Sequence, residues 1–212
     1  MLALLAASVH AEDAPPDMTG IARPSVEELW ISQARPADSG RESDTREAMC
    51  LMIESAARAN DLPLEFFARV IWQESRFRPD ATGPVTRRGQ RAQGIAQFMP
   101  PTWDDVRAAL AFPAHATPFD PAYAIKGAAW YLGLLRRQWR SPRAEDDRRR
   151  LVQASYNAGL GNVVKAQKRA GGATAYESIA ARLHDVTGAD HARETRAYVD
   201  RIERIHRELV GV

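Results

Sequence analysis

Residues 62–79, LPLEFFARVIWQESRFRP, carry a carboxylic acid where an amphipathic helix would carry a hydrophobe. Phe67, Val70, Ile71 and Glu74 stand at i, i+3, i+4 and i+7, so they share one face. A carboxyl group withdrawn from water holds its proton to higher pH, and in that state a glutamate acts as a general acid. At the rim of the stripe the same residue would reach solvent or pair with Arg78 at i+4, and the helix alone leaves both readings open. A second stretch, GIAQFMPPTW at 94–103, offers Gln97 as an amide donor and acceptor beside Phe98, Met99 and Trp103. These apolar types build cores, and they also pack against the C–H faces of sugar rings. Tyr156 and Asn157 lie together in LVQASYNAGLGN at 151–162, bounded by Gly159 and Gly161, a pattern that also serves as a plain helix stop.

Helices must position these groups. Pro63 suits a first turn and Pro79 lies past the end of the Glu74 helix. Upstream, Asp44 and Glu47 have capping-box spacing ahead of a helix whose Met49, Met52, Ile53 and Ala56 recur at core spacing. The Gly-, Pro- and Arg-rich stretch 80–94 reads as a loop, followed by a helix over 102–110. Asp120 and Pro121 form an N-cap and N1 pair for a helix with Ile125, Ala128, Ala129, Leu132 and Leu135 facing inward. SPRAEDDRRR at 141–150 reads as a charged surface loop, and helices follow over 151–158, 162–170, 176–183 and 193–209. On the last, Tyr198, Ile202, Ile205 and Leu209 share a face. No segment has strand period, so the expected fold is all-α with about seven or eight helices and little or no β-structure.

The 212 residues, 45% hydrophobic and 26% charged, suit one domain with a proper core plus a tail. The formal net charge is only +2, yet the arginines cluster. Five stand between Arg76 and Arg91 against Asp80 alone, and seven between Arg136 and Arg150 against Glu145, Asp146 and Asp147. Such runs meet an anionic polymer or form solvated loops. Residues 1–11, MLALLAASVHA, resemble the apolar core of a truncated signal segment and are too short to span a bilayer. Residues 12–43, with Pro15, Pro16, Pro24 and Pro36, read as a flexible tether holding one short helix at 25–33, and residues 44–212 as the folded domain. Cys50 is the single cysteine, so no internal disulfide forms. There is no nucleotide-binding glycine loop, HExxH or EF-hand loop and no Cys/His ligand set, so neither a metal nor an organic cofactor is expected.

Four motifs stand in one order: Glu74-Ser75 with Phe77 and Pro79; Gly94 to Pro100; Ala154-Ser155-Tyr156-Asn157-Ala158-Gly159; and Glu194-Thr195-Arg196-Ala197-Tyr198-Val199. Together they resemble the soluble lytic transglycosylases, the SLT branch of the lysozyme-like superfamily related to goose-type lysozyme. The resemblance implies a lysozyme-like helical fold, a periplasmic lyase with a peptidoglycan glycan strand as partner, and cleavage of the β-1,4 bond between N-acetylmuramic acid and N-acetylglucosamine. It implies Glu74 as the single acid/base, Gln97 and Met99 lining the saccharide cleft, and Tyr156 and Asn157 near the acid. Tyr198 matches the family tyrosine that steadies the carboxylate, and Ser75 supports the helix end or an acetamido group. A secretion or conjugation apparatus is a further partner the analogy admits, with a monomer expected and no nucleic acid. A lysozyme-type hydrolase would need a second carboxylate, from Asp104, Asp105 or Asp120, and an idle wall-binding module would need no acid. Two departures mark this chain: the loop between Glu74 and Gln97 is about five residues longer than the family pattern, and Gly83 stands where many relatives have serine.

Overall fold

The computed structural model describes residues 39–86 and 88–210, with side chains over 45–86 and 88–205. The signal segment and the 25–33 helix expected from the sequence lie outside the described residues, as does all but the end of the tether. Nine helices occur among those described: α1 Ser39–Ala59, α2 Leu64–Ser75, α3 Pro100–Ala109, α4 Pro121–Gln138, α5 Glu145–Ala158, α6 Leu160–Arg169, α7 Tyr176–Ala180, α8 His184–Thr187 and α9 Ala189–Val210. β pairing among them is confined to two isolated bridges, Thr82 with Gln93 and Gln93 with Phe98. The all-α expectation therefore holds. No described helix is long and apolar enough to cross a membrane.

The core gathers around α4, whose predicted stripe Ile125, Ala128, Ala129, Leu132 and Leu135 is buried throughout. Helix α1 lies along α4 and α2, and α9 packs against both α5 and α2, so the first and last described helices both pack on the Glu74 helix. Asp120 caps α4 as its sequence suggests, its Oδ1 accepting from Ala122 N at 3.0 Å. The end of α2 is set by Arg76 and Phe77, both left-handed at φ 54° and 60°, with Arg76 N donating to Trp72 O at 2.7 Å. Two successive non-glycine residues in that region stop a helix abruptly.

Several boundaries differ from the sequence reading. Helix α1 begins at Ser39, so Asp44 and Glu47 lie inside it and not at its N-terminus. No proline stands between Pro36 and Pro63, and nothing in that interval prevents an earlier start. The stretch 141–150 is only half loop, because α5 starts at Glu145. Its acidic triplet Glu145, Asp146 and Asp147 occupies the first turn, where negative charge meets the positive end of the helix dipole. Gly159, at φ 86°, breaks the chain between α5 and α6, whereas Gly161 continues into α6. The one-turn α8 had no counterpart in the periodicity.

The loop between α2 and α3 returns to the core through Gly94. Its N–H donates to Ala81 O at 2.8 Å, its φ is +73°, and a Cβ built on it would lie 1.6 Å from Pro118 O. The 94–98 segment thus rests directly on the backbone that leads into α4. Gly94→Ala should cost more than about 3 kcal/mol, because backbone must move on both sides. An unfolding free energy lowered by less than about 1 kcal/mol in a denaturant titration would show the contact to be compliant.

Candidate active site

Glu74 does close a buried stripe. Phe67, Val70 and Ile71 are fully buried beside it, and the glutamate itself is 3% exposed. Its partner comes from α9, where Tyr198 Oη donates to Glu74 Oε1 at 2.6 Å. With Oε1 accepting, the proton of the neutral acid belongs on Oε2. Burial pushes the Glu74 pKa up to about 8, against the opposing Tyr198 hydrogen bond and the positive charge of Arg201. Pairing with Arg78 does not occur: Arg78 Nε donates instead to Ser75 O at 3.1 Å.

Around this acid stand two phenols that keep their protons. Tyr156 is fully buried, and its hydroxyl donates to Ala96 O at 2.9 Å, which joins α5 to the 94–98 segment. Burial and then the Glu74 charge raise its pKa well above the usual phenol value, and the same causes act on Tyr198. Tyr131 of α4 packs on Tyr156 with ring centroids 5.8 Å apart.

Gln97 is wholly buried with φ 50°. Its amide nitrogen donates to Gly94 O at 2.9 Å and to Ala81 O at 3.2 Å, while its Oε1 is buried with no partner. The sequence offered Gln97 as donor and acceptor; folding consumes the donor and leaves the acceptor. Asn157 Oδ1 accepts from Thr195 Oγ1 at 2.8 Å, so this residue ties α5 to α9. Ser75 turns back into its own helix, with Oγ 3.4 Å from Ile71 O. Met99 is buried at the N-cap of α3, and its backbone conformation turns the chain into Pro100. Glu74, Tyr198, Tyr156 and the 94–98 segment are thus linked by hydrogen bonds or charge, and Asn157 fastens their frame.

Periodicity missed a second polar cluster. Arg149 forks onto Glu203, with Nε to Oε1 at 2.9 Å and Nη2 to Oε2 at 2.6 Å, and Gln153 Nε2 reaches Oε1 at 2.6 Å. Arg149, Gln153 and Asn157 follow at i, i+4 and i+8 on α5, and Thr195, Val199 and Glu203 do so on α9. These antiparallel stripes face each other, polar at both ends. The signal available was that shared spacing, which sequence alone does not pair.

None of the other carboxylates considered is tied to Glu74. Asp120 is occupied as a cap, Asp104 is exposed and 3.8 Å from Arg107, and exposed Asp105 acts electrostatically on Tyr131.

Residues 51–179, more than half of the chain, match the family described as the Transglycosylase SLT domain. The chain belongs to this family. Similar solved structures include the 70 kDa soluble lytic transglycosylase of Escherichia coli, at 22% identity and TM-score 0.58 over 74% of this chain and 23% of that one. An inactive glutamate-to-glutamine mutant of the lytic transglycosylase Slt from Pseudomonas aeruginosa aligns at 25% identity and TM-score 0.54, covering 72% and 22%. A complex of the 70-kDa soluble lytic transglycosylase with bulgecin A aligns at 22% identity and TM-score 0.57, covering 76% and 24%. This chain spans less than a quarter of the length of these relatives, and at 22% identity the likeness is one of fold. No curated protein sequence matches it. Tyr198 lies beyond the matched residues of the SLT domain, and its bond to Glu74 brings α9 into the site.

Keeping Glu74 protonated has a stability consequence. Its folded pKa of about 8 exceeds the unfolded value, so the wild type carries no penalty below pH 4 and loses stability as pH rises toward 8. Glu74→Gln escapes that loss. The variant should match the wild type at pH 4 and exceed it by about 3 kcal/mol at pH 7, since each pH unit is worth about 1.4 kcal/mol. Urea unfolding at the two pH values measures the difference, and a gain equal at both would assign it to packing.

Proposed function

We propose that this SLT domain is a peptidoglycan lytic transglycosylase in which Glu74 alone serves as acid and base. The observation that carries the reading is a buried carboxyl, held neutral up to about pH 8, with a phenol bonded to one oxygen and the other left for the proton. In the first half-reaction Oε2 gives its proton to the glycosidic oxygen between N-acetylmuramic acid and N-acetylglucosamine, and the C1–O bond breaks. In the second, the Glu74 carboxylate takes the proton of the muramic acid C6 hydroxyl as O6 bonds to C1. The acid is regenerated, no water is consumed, and the new end is a 1,6-anhydro sugar. Because the nucleophile is already part of the substrate, proximity replaces a second catalytic carboxylate. That fits the engagement of Asp104 and Asp120 elsewhere.

Tyr198 favours the carboxylate between the half-reactions, since a hydrogen bond to the charged form stabilises it. Gln97 Oε1 and Met99 are both closed off here, so they meet the glycan only where its binding opens the cleft; there the lone Oε1 suits a hydroxyl or acetamido N–H and the thioether a ring face. Tyr156 and Asn157 hold the walls around the acid, and Ser75 keeps the helix end. The substrate assigns the domain to the periplasm, with the leader and tether read from residues 1–43 providing export and reach.

Mass spectrometry of soluble products from purified sacculi tests the reading. The wild type should release fragments one water lighter than reducing muropeptides, and Glu74→Gln should reduce release by about 10³-fold or more. Tyr198→Phe should act more slowly and move the alkaline limb of the pH profile upward, because loss of the hydrogen bond raises the Glu74 pKa further. Reducing ends would replace this mechanism with hydrolysis, and full activity in Glu74→Gln would remove Glu74 from the chemistry.

A further inference from the structure

Arginines of the two runs differ in their partners. In the run 136–150, Arg136 and Arg148 both pair with Glu145, Arg149 with Asp146 and Glu203, and Arg150 with Glu177. Four of its seven cations are satisfied inside the protein. In the run 76–91, Arg78 and Arg91 reach only backbone carbonyls: Arg78 Nε donates to Ser75 O, and Arg91 Nη1 to Gly83 O at 2.9 Å. Arg88 is exposed, and none of these three is within ion-pair distance of a carboxylate among the described residues. Asp80 is the one acid in the run, and it too is exposed.

Arg78, Arg88 and Arg91 belong to the segment attached to the site. Arg78 follows Glu74 by four residues. Ala81 O accepts from both Gly94 N and Gln97 Nε2, and Gly83 N bonds to Ala92 O at 2.9 Å, so the loop starts where Gln97 is held. Beyond that base, Thr86 N donates to Gln90 O at 2.8 Å and Gly89 N to Thr86 O at 2.9 Å, forming a tight tip that carries Arg88. Five residues of chain reach at most about 17 Å, so the tip stays within the neighbourhood of the base. The saccharide hydroxyl and acetamido groups carry no charge. In peptidoglycan the carboxylates belong mainly to the peptide on the lactyl group of muramic acid, and guanidinium forks match carboxylates in shape and charge.

We propose that Arg78, Arg88 and Arg91 form a cationic rim that binds the carboxylates of the peptide on muramic acid, so that the domain prefers peptide-bearing to bare glycan. This rests on the glycan-cleaving reading of Glu74. Exposed ion pairs are individually weak and screened by salt, so the expected preference is modest, about tenfold in Kd, and salt-sensitive.

The test measures binding in the Glu74→Gln background by fluorescence anisotropy. Soluble labelled glycan fragments are compared with the same fragments stripped of peptide by an amidase. The peptide-bearing form should bind about tenfold tighter at low salt, and the advantage should collapse in about 0.5 M salt, where screening acts over a few ångströms. Arg88→Glu should shrink it and Arg88→Lys retain most of it. Equal affinity for both glycans, an advantage that survives salt, or equal loss in both variants would overturn the rim. So would tighter binding to anionic lipid vesicles than to peptide-bearing glycan. Cleavage of sacculi is scored in parallel with the unsubstituted enzyme. An enzyme that cleaves without preference fails only the rim, whereas a protein that shows the preference but releases nothing fails only the catalytic reading.

Discussion

A carboxyl group in a dry helix junction must either stay neutral or find help on ionising, and the Glu74 environment supplies both conditions. Burial raises the pKa to about 8, and the Tyr198 hydroxyl stands at 2.6 Å, where its hydrogen bond favours the charged form. The phenol cannot exchange roles with the acid, because its own ionisation is pushed far up by burial and by the glutamate charge. That bond crosses from α2 to α9, so its length depends on how α9 sits. The facing stripes on α5 and α9 set this position at two points, Asn157 with Thr195 and Arg149 and Gln153 with Glu203. Eight residues of helix separate the two points, about 12 Å. A one-residue slip would break both and turn Tyr198 about 100° from the acid.

Much of this was legible in the residues, for reasons that differ by element. The placement of Glu74 on an apolar face follows from period alone, as does the inward stripe of α4. Whether the acid was buried or at the rim did not follow, since the answer lies in Tyr198, 124 residues away. Its role came only through the resemblance to lytic transglycosylases. Gln97 was recognisable as a polar group among hydrophobes, but the loss of its donors to Gly94 and Ala81 required a backbone conformation with φ 50° that glutamine seldom adopts. The start of α5 was misread because an acidic cluster looks like a loop until the helix dipole is counted. The cluster around Glu203 was invisible because each member is ordinary on its own helix.

The arginines make a related point about composition. Both runs look alike as sequence, yet Arg136, Arg148, Arg149 and Arg150 of one supply internal ion pairs, whereas Arg78 and Arg91 of the other bond to carbonyls. Only the fold distinguishes arginines paired with carboxylates from arginines bonded to backbone.

The hydrogen bonds at the base of the 83–92 loop have an evolutionary consequence. Gly94, pressed against Pro118 and bonded to Ala81, isolates the segment carrying Gln97 from whatever lies beyond the Gly83–Ala92 pair. Length and charge can change in that appendage without moving the acid or its neighbours. The molecule thus keeps two kinds of variation apart: a buried carboxyl fastened to its neighbours by hydrogen bonds across helices, and beside it a short exposed stretch of chain whose length and charge are not tied to them.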